Sequence, residues 1–207
     1  EGTVSDSTKI SHVGILGPDY IGMKPTMMVE VGDQVKIGSV LFEDKKNPGV
    51  FFTSPAGGLI KSINRGEKRR FISIEIEVAD QENQVEILND SDEILFRNLS
   101  KYGVINNFRT RPFNKTPKPN DIPNDIFVNI CDTNPLSVDP YIYLQHEIDL
   151  FNRSLMKLKE IFNCNIHVCY QNNDFNNFVD GINYYNFKGP HPACLLYTSD
   201  AADDVEC

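Results

Sequence analysis

The feature that most constrains the fold is a β-rich stretch, Val29–Arg70, which glycine divides into two halves. The first half carries Val-Gly-Asp-x-Val-Lys-x-Gly (Val31–Gly38), and the second carries Ser-Pro-Ala-Gly-Gly-x-Ile (Ser54–Ile60). Gly32 followed by Asp33 favours a tight turn, because glycine accepts a positive φ and the aspartate bonds to nearby backbone. Short strands separated by such turns predict a small β domain.

The same pattern resembles the half-barrels of lipoyl and biotinyl carrier domains, and six longer motifs resemble a single family. They are GPDYIGMKPTM (Gly17–Met27), VEVGDQVKIGSVLFEDKKNPGVFFTSPAGG (Val29–Gly58), INRGEKR (Ile63–Arg69), FRTRPF (Phe108–Phe113), DTNPLSVDP (Asp132–Pro140) and GPHPA (Gly189–Ala193). On these motifs, which occur in the family's order, the chain resembles the A subunits of sodium-translocating NADH:quinone reductases, which are bacterial respiratory pumps.

The expected fold is mixed, with two domains. Residues 1–80 are expected to form a barrel-sandwich hybrid β domain of the lipoyl/biotinyl kind, and polar residues 81–91 a linker. Residues 92–193 are expected to form an incomplete Rossmann-like α/β domain. Within the first domain, alternation predicts a strand over Ile72–Val78 whose isoleucines share one face. Apolar spacing predicts a helix over Asp92–Asn106.

A βαβ unit is predicted in the second half of the chain. The apolar runs Ile126–Cys131 and Ile166–Tyr170 are typical of buried parallel strands. Asp139-Pro140 is a helix start, with Asp as the N-cap and Pro at the first helical position. Apolar residues then recur at helical spacing from Ile142 to Phe162. Strand, helix and strand in this order predict a parallel sheet.

Residues 194–207 are expected not to be native protein. Cys194–Asp203 matches the conceptual translation of a sequencing-library adapter, and the alternative is a genuine acidic C-terminus. The chain also lacks an initiator Met, so we expect an internal fragment without the family's C-terminal half.

Composition excludes some classes of function. A formal charge of −9 argues against a nucleic-acid binder. No apolar run is long enough to span a membrane, and neither the cysteines nor the histidines show metal-ligand spacing. No metal site is therefore predicted.

Asp44-Lys45 stands roughly where lipoyl domains place their modified lysine after an aspartate. One interpretation is a lipoyl or biotinyl arm on Lys45, and the other is a barrel retained without the modification. Lys46, Asn47 and Pro48 follow, whereas carrier domains place a small residue next. The resemblance to the pump family favours the unmodified barrel.

The second half also resembles the flavin- and NADH-binding subunit of respiratory complex I, which has a glycine-rich loop. Such a loop lets backbone N–H groups approach phosphates closely. At the corresponding place this chain has GVINNFRTRPF (Gly103–Phe113), with one glycine. The resemblance therefore implies no cofactor in this chain. In the resembled complex FAD, FMN, riboflavin and an iron–sulfur centre belong to other subunits, and ubiquinone is the substrate.

Three polar residues are candidates for anion or partner contact. Arg109 and Arg111 suit an acidic surface, and the alternative is ordinary surface charge. Asp132 follows a predicted strand, where α/β domains place ligands. Its alternative role is to form a turn before Asn134-Pro135.

A quinone site is predicted from the GPHPA motif and the aromatic residues. His191 could donate a hydrogen bond to a quinone carbonyl, with Pro190 holding it rigid, and the alternative is a structural loop histidine. Phe113 belongs to a set of phenylalanines that could line a quinone tail pocket or pack in the core.

Taken together, the resemblance implies a peripheral subunit on the cytoplasmic face of the bacterial inner membrane. Its expected partners are the membrane-embedded subunits of the pump and quinone, with no nucleic acid. The isolated chain is expected not to be catalytic. Two alternatives stay open, a carrier domain fused to an α/β domain and the equivalent subunit of the related ferredoxin-linked (Rnf) pump.

Overall fold

A computed structural model describes residues 9–79, 99–134, 136–171, 175 and 178–189. The chain divides into two compact units, Glu1–Asp121 and Ile122–Cys207. The predicted linker 81–91 and the proposed adapter segment 194–207 lie outside the described residues, so the predicted domain boundaries stay predictions. Residues 99–121 belong to the first compact unit.

Among its described residues, the first unit contains seven strands. They are β1 (His12–Leu16), β2 (Pro25–Met27), β3 (Gln34–Val35), β4 (Val40–Asp44), β5 (Phe51–Thr53), β6 (Gly58–Arg65) and β7 (Phe71–Val78). One sheet has the order β1-β7-β6-β3 and the other the order β2-β4-β5, and every pairing is antiparallel. The predicted turn after Val31 is present, since the Asp33 carboxylate accepts the Glu30 N–H at 2.8 Å.

One hydrophobic core holds the first unit together. Its buried members are Val35, Leu41, Phe42, Val50, Phe52, Ile60, Phe71, Ile74, Ile76 and Ile105. Phe42 stacks on Phe52, with ring centroids 4.6 Å apart, and contacts Phe71 at 5.2 Å. Burying each such side chain contributes about 1.5–3 kcal/mol, so this cluster is the main source of stability of the unit.

The predicted alternation along β7 is wrong at its first residues. Ile74 and Ile76 are fully buried as expected, but Ile72 is 43% exposed and Phe71 is buried instead. The pairing of β6 with β7 shifts between Asn64 and Arg65. Such an irregularity changes which residues face the core, and a strict period of two does not anticipate it.

Within its described part, the helix predicted over Asp92–Asn106 is confirmed at residues 99–101 and is wrong from Tyr102 onward. Residues 99–101 are helical, but Gly103 adopts a left-handed conformation (φ 73°) and a 3₁₀ turn follows over Val104–Asn107. A side chain at Gly103 would meet the Thr53 hydroxyl at 2.6 Å. The chain turns sharply at this glycine because only glycine fits both the backbone angle and the contact.

In the part of the second unit that the structure describes, there is a three-stranded parallel sheet with one main helix. Its elements are β8 (Asp125–Ile130), α1 (Tyr141–Leu144), a 3₁₀ turn (Gln145–Glu147), α2 (Ile148–Phe162), β9 (Asn165–Tyr170) and β10 (Asn183–Asn186). The strand order is β10-β9-β8, and both pairings are parallel. The predicted βαβ unit is confirmed.

A helix start near Asp139 is also confirmed, because the Asp139 carboxylate accepts the Tyr141 N–H at 2.9 Å. The helix begins at Tyr141, so Pro140 is the residue before it and not, as predicted, its first residue. The helical residues then include a 3₁₀ turn, so one predicted helix is present as two. Leu155 and Phe162 are the buried residues of α2.

The prediction that Ile126–Cys131 is a buried strand is confirmed for one face of the sheet and wrong for the other. Ile126, Ile166 and Val168 are buried on one face of the sheet, but Phe127 on the opposite face is 53% exposed. Among the described residues, the face of the sheet that includes Phe127 is partly exposed. The polar cluster described below lies on this face.

Candidate functional site

Residues 102–106 dock on the edge of β5, which is the outer strand of its sheet among the described residues. The Asn106 amide donates a hydrogen bond to the Phe51 carbonyl at 2.6 Å. The Thr53 hydroxyl donates to the Tyr102 carbonyl at 3.1 Å. Open strand edges invite unwanted pairing, so this segment protects β5 while it positions the arginines that follow.

Asn106 is expected to be essential for this docking. Asn106→Ala leaves the Phe51 carbonyl without that donor at a buried position, because Asn106 is only 6% exposed. We expect a loss of about 1–3 kcal/mol in the free energy of unfolding. Urea denaturation of the full chain measures it, with Asn107→Ala, at an exposed neighbouring position, as the matched control. Equal stability of the two variants would contradict the docking role.

Arg109 is held by the first unit itself. Its guanidinium donates to the carbonyls of Asn106 and, at 2.9 Å, Phe108. It also lies over the Tyr20 ring, 5.1 Å from the centroid. These contacts favour a structural role, in which Arg109 ties residues 106–108 to the segment around Tyr20.

Arg111 and Phe113 lie in an exposed loop beyond it. The loop is closed by a hydrogen bond from the Thr110 N–H to the Lys115 carbonyl at 2.7 Å. Phe113 is 70% exposed, with the Lys115 ammonium 5.6 Å from its ring centroid, and Arg111 is exposed. An aromatic ring with nearby cations suits contact with a partner more than a closed pocket for a quinone tail.

Asp132 forms a turn at the end of β8. Its Oδ1 accepts the backbone N–H of Asn134 at 2.9 Å and the Asn134 amide at 2.6 Å. This is the Asx-turn arrangement that the sequence offered as the alternative to ligand binding. The anion-contact role of Asp132 stays a prediction.

Asp44 and Lys45 lie at the end of β4, and their side chains have different environments. Asp44 is buried, and its Oδ1 accepts the backbone N–H groups of Lys24 and Lys46, both at 3.0 Å. Lys45 is exposed. In the same turn the Asn47 amide donates to the Pro117 carbonyl at 3.3 Å. The aspartate before Lys45 therefore organises the turn itself.

A polar cluster that sequence reasoning did not predict lies on the exposed face of the parallel sheet. The His167 imidazole contacts the Asp125 carboxylate through Nε2 at 2.9 Å and the Tyr185 hydroxyl through Nδ1 at 3.2 Å. Its ring stacks between Phe127 (centroids 4.8 Å apart) and Tyr185 (5.7 Å). The available signal was that the alternate positions of the two strands carry Asp125, Phe127 and Asn129 in one and Asn165 and His167 in the other, a face that is polar apart from Phe127.

The carboxylate of this cluster has a shifted titration. The hydrogen bond from His167, and then that from the Asn165 amide at 3.1 Å, lower the pKa of Asp125 below its ordinary value of 3.8. A lowered pKa in the folded state means that ionised Asp125 stabilises the fold above its unfolded pKa. This contribution is lost as the pH falls through the folded pKa.

Asp125→Asn is therefore expected to lower the melting temperature at neutral pH and to have a smaller effect in acid. Thermal melts of the full chain at about pH 7 and about pH 3 measure the difference. Asp180→Asn removes an exposed carboxylate from the same unit and serves as the control. An equal effect of Asp125→Asn at both pH values would show that the ionised form contributes nothing.

Two of the predicted site residues, Pro190 and His191, lie outside the described residues. Among the residues that the structure describes, no group of three or more His, Cys, Asp or Glu side chains could hold a metal ion. Over the same part of the chain, no helix has both the length and the apolar composition to span a bilayer. The remaining candidates are divided between the two compact units, with Arg109 in the first and Asp132 in the second.

The fold and these sites define a class of protein with a barrel-sandwich hybrid domain followed by an α/β domain. Residues 1–79 match the family model described as the NqrA N-terminal barrel-sandwich hybrid domain. Residues 90–199 match the one described as the NqrA second alpha/beta domain. The chain belongs to the NqrA family, and the predicted fold class is confirmed.

Curated relatives agree with this assignment. The chain is 43% identical over 205 residues to a protein of Yersinia pseudotuberculosis serotype O:1b (strain IP 31758), covering 95% of this chain and 46% of the relative. It is 39% identical over 207 residues to one of Histophilus somni (strain 2336), covering 96% and 46%. Both are named as the A subunit of the Na(+)-translocating NADH-quinone reductase. The chain spans about half the length of the curated relatives it matches.

Proposed function

We propose that this chain is part of the A subunit of a sodium-pumping NADH:ubiquinone oxidoreductase. The protein contributes to quinone access or to assembly of the complex and has no flavin or NADH site of its own. It lies at the cytoplasmic face of the bacterial inner membrane and docks on membrane-embedded subunits of the complex. Membership of the NqrA family, with both domain models matched in order, supports this proposal.

The packing of Gly103 is the observation that supports the proposed lack of a nucleotide site. A phosphate cradle needs glycines whose backbone is open to the ligand. Gly103, the one glycine in Gly103–Phe113, instead lies against β5, where a side chain would meet the Thr53 hydroxyl at 2.6 Å and the Phe51 carbonyl at 3.3 Å. Its missing side chain serves the packing of the chain's own segment.

The optical spectrum of the purified full chain tests the flavin part of the proposal. We expect no flavin absorbance, including after incubation with FMN or FAD followed by gel filtration. In the whole complex FAD, FMN, riboflavin and the iron–sulfur centre would then belong to the other subunits, as proposed. Stoichiometric flavin in the protein peak would contradict this assignment.

His191 is proposed as the quinone contact, and Pro190 and Phe113 are the further candidates that the sequence offers for this role. The experiment is His191→Ala in the assembled complex, with quinone affinity and turnover as the readouts. His146→Ala, an exposed histidine of the second unit, is the matched control. Unchanged kinetics in both variants would discard the quinone role of His191 and leave a role in assembly.

A carrier function on Lys45 is the second candidate, supported by the exposure of Lys45 at the end of β4. The turn that follows Lys45 is hydrogen-bonded to the Pro117 carbonyl. The segment around Pro117 therefore hinders a modifying enzyme that approaches this side of the turn. Intact mass of the chain expressed in its own host decides, because a lipoyl or biotinyl increment supports the arm and an unmodified mass removes it. The equivalent subunit of the Rnf pump, the other alternative, would be favoured by bound flavin in the spectral experiment.

A further inference from the structure

The turn between β6 and β7 concentrates positive charge at one end of the first sheet. Within six residues it carries four cations and one carboxylate, all exposed: Arg65, Glu67, Lys68, Arg69 and Arg70. The chain as a whole carries a formal charge of −9. A cationic turn on an acidic chain creates a strong local field that orients the molecule toward an anionic surface.

This charge is not neutralised within the described part of the chain. Ion pairs among those residues join Lys157 to Glu160 and His167 to Asp125, and none involves the turn. The contact that Arg65 makes is a 3.5 Å hydrogen bond to the backbone carbonyl of Arg69. The cations of the turn are therefore available to a partner.

The backbone of the turn is held in an unfavourable conformation. Lys68 (φ 53°) and Arg69 (φ 60°) both lie in the left-handed region, where residues with a side chain are disfavoured. The loop is closed by a hydrogen bond from the Gly66 N–H to the Arg70 carbonyl at 2.8 Å. Glycine or asparagine would suit these two positions better, so cations at them favour a function in recognition over a purely structural turn.

Exposed apolar side chains lie at the same end of the sheet. Leu16 is the last residue of β1, and it pairs with Ser73, the third residue of β7. Leu16 is 51% exposed, and Ile72, next to Ser73, is 43% exposed. Cations together with exposed aliphatic residues match the two layers of a membrane interface, since lipid phosphates attract the cations and the region below accepts apolar groups.

We propose that the turn Arg65–Arg70 docks on an anionic lipid surface. Its cations contact lipid phosphates, and Leu16 and Ile72 face the boundary of the acyl chains. This surface would orient the protein on the bilayer independently of its contacts with other subunits. The proposal goes beyond the role in the pump, and the test below needs neither quinone nor another subunit, so the two can fail separately.

The test is sedimentation of the full chain with vesicles. One set contains phosphatidylcholine alone, and the other contains phosphatidylcholine with phosphatidylglycerol. We expect binding to the anionic vesicles alone, weakened by salt. Lys68→Gln/Arg69→Gln/Arg70→Gln should reduce the partition coefficient by about tenfold or more, since each cation near an anionic surface contributes to binding.

Matched variants separate the turn from net charge. Lys36→Gln/Lys101→Gln/Arg153→Gln removes the same number of charges from exposed positions elsewhere and should retain most of the binding. Lys68→Gly/Arg69→Gly removes two cations while accepting the left-handed backbone, so it tests the turn without risk to the fold. Absence of binding to anionic vesicles, or equal losses in the two triple variants, would overturn the proposal. If the chain does not bind anionic vesicles, an acidic protein surface becomes the better candidate for the partner of this turn.

Discussion

Phe42→Ala is expected to destabilise the first unit by about 3–5 kcal/mol, close to the total stability of many small domains. Phe42 is fully buried and is packed between Phe52 and Phe71, with centroid distances of 4.6 and 5.2 Å. Removing the ring loses its transfer free energy and leaves a cavity between two sheets. Urea denaturation followed by circular dichroism measures the effect, because the chain has no tryptophan to report by fluorescence.

Phe113→Ala is the matched control for this prediction. The same atoms are removed from a side chain that is 70% exposed, so the free energy of unfolding should change by about 0.5 kcal/mol or less. If both variants lose similar stability, the core does not lie between the two sheets as described. A large loss in Phe113→Ala alone would assign that ring to the core.

Gly58→Ala should lower the free energy of unfolding by about 3 kcal/mol, at the upper end of the usual cost of overpacking. A side chain at this position would lie 2.0 Å from the Glu77 carbonyl oxygen and 3.1 Å from the Val78 Cα. These are backbone atoms of the paired strand β7, so they move only if the pairing shifts. The close approach of β7 thus explains why the second glycine of the Ser-Pro-Ala-Gly-Gly motif, Gly58, has no room for a side chain.

Gly22→Ala separates this steric cost from the cost of holding a residue with a side chain at a positive φ angle. Gly22 has φ +77° and nothing within 4 Å of the position of an added side chain. Its substitution should cost about 1–2 kcal/mol, which is the usual cost of a left-handed L-residue. A smaller loss in Gly58→Ala than in Gly22→Ala would contradict the close approach of β6 to β7.

Some strands of both units were predictable because their signals are local. A turn at a glycine and a strand at an apolar run are both signalled by residues that are neighbours along the chain. The runs Ile126–Cys131 and Ile166–Tyr170 are present in the structure as β8 and β9. The helix start at Asp139 was predictable for the same reason. The errors occurred where tertiary contacts override local pattern, at Ile72 beside an irregular pairing and at Gly103, which packs on β5.

The candidate site was less predictable, because the environment of a charged side chain is not a local property. Arg109 and Arg111 are two residues apart, yet one guanidinium is bonded to backbone carbonyls and to the Tyr20 ring while the other is exposed. Nothing in the sequence separates them. Their difference arises because the sharp turn at Gly103 brings residues 106–109 against the barrel.

By itself, the sequence determined the strand–helix–strand order of the βαβ unit, the family, and the turn at Gly32-Asp33. Only the tertiary structure decided which polar groups meet. Asp125, His167 and Tyr185 belong to three different strands, and the contacts that join them span 42 and 18 residues of sequence. They lie together because parallel pairing aligns Phe127 with His167 and His167 with Asn183, and this register depends on the whole βαβ unit rather than on any one strand.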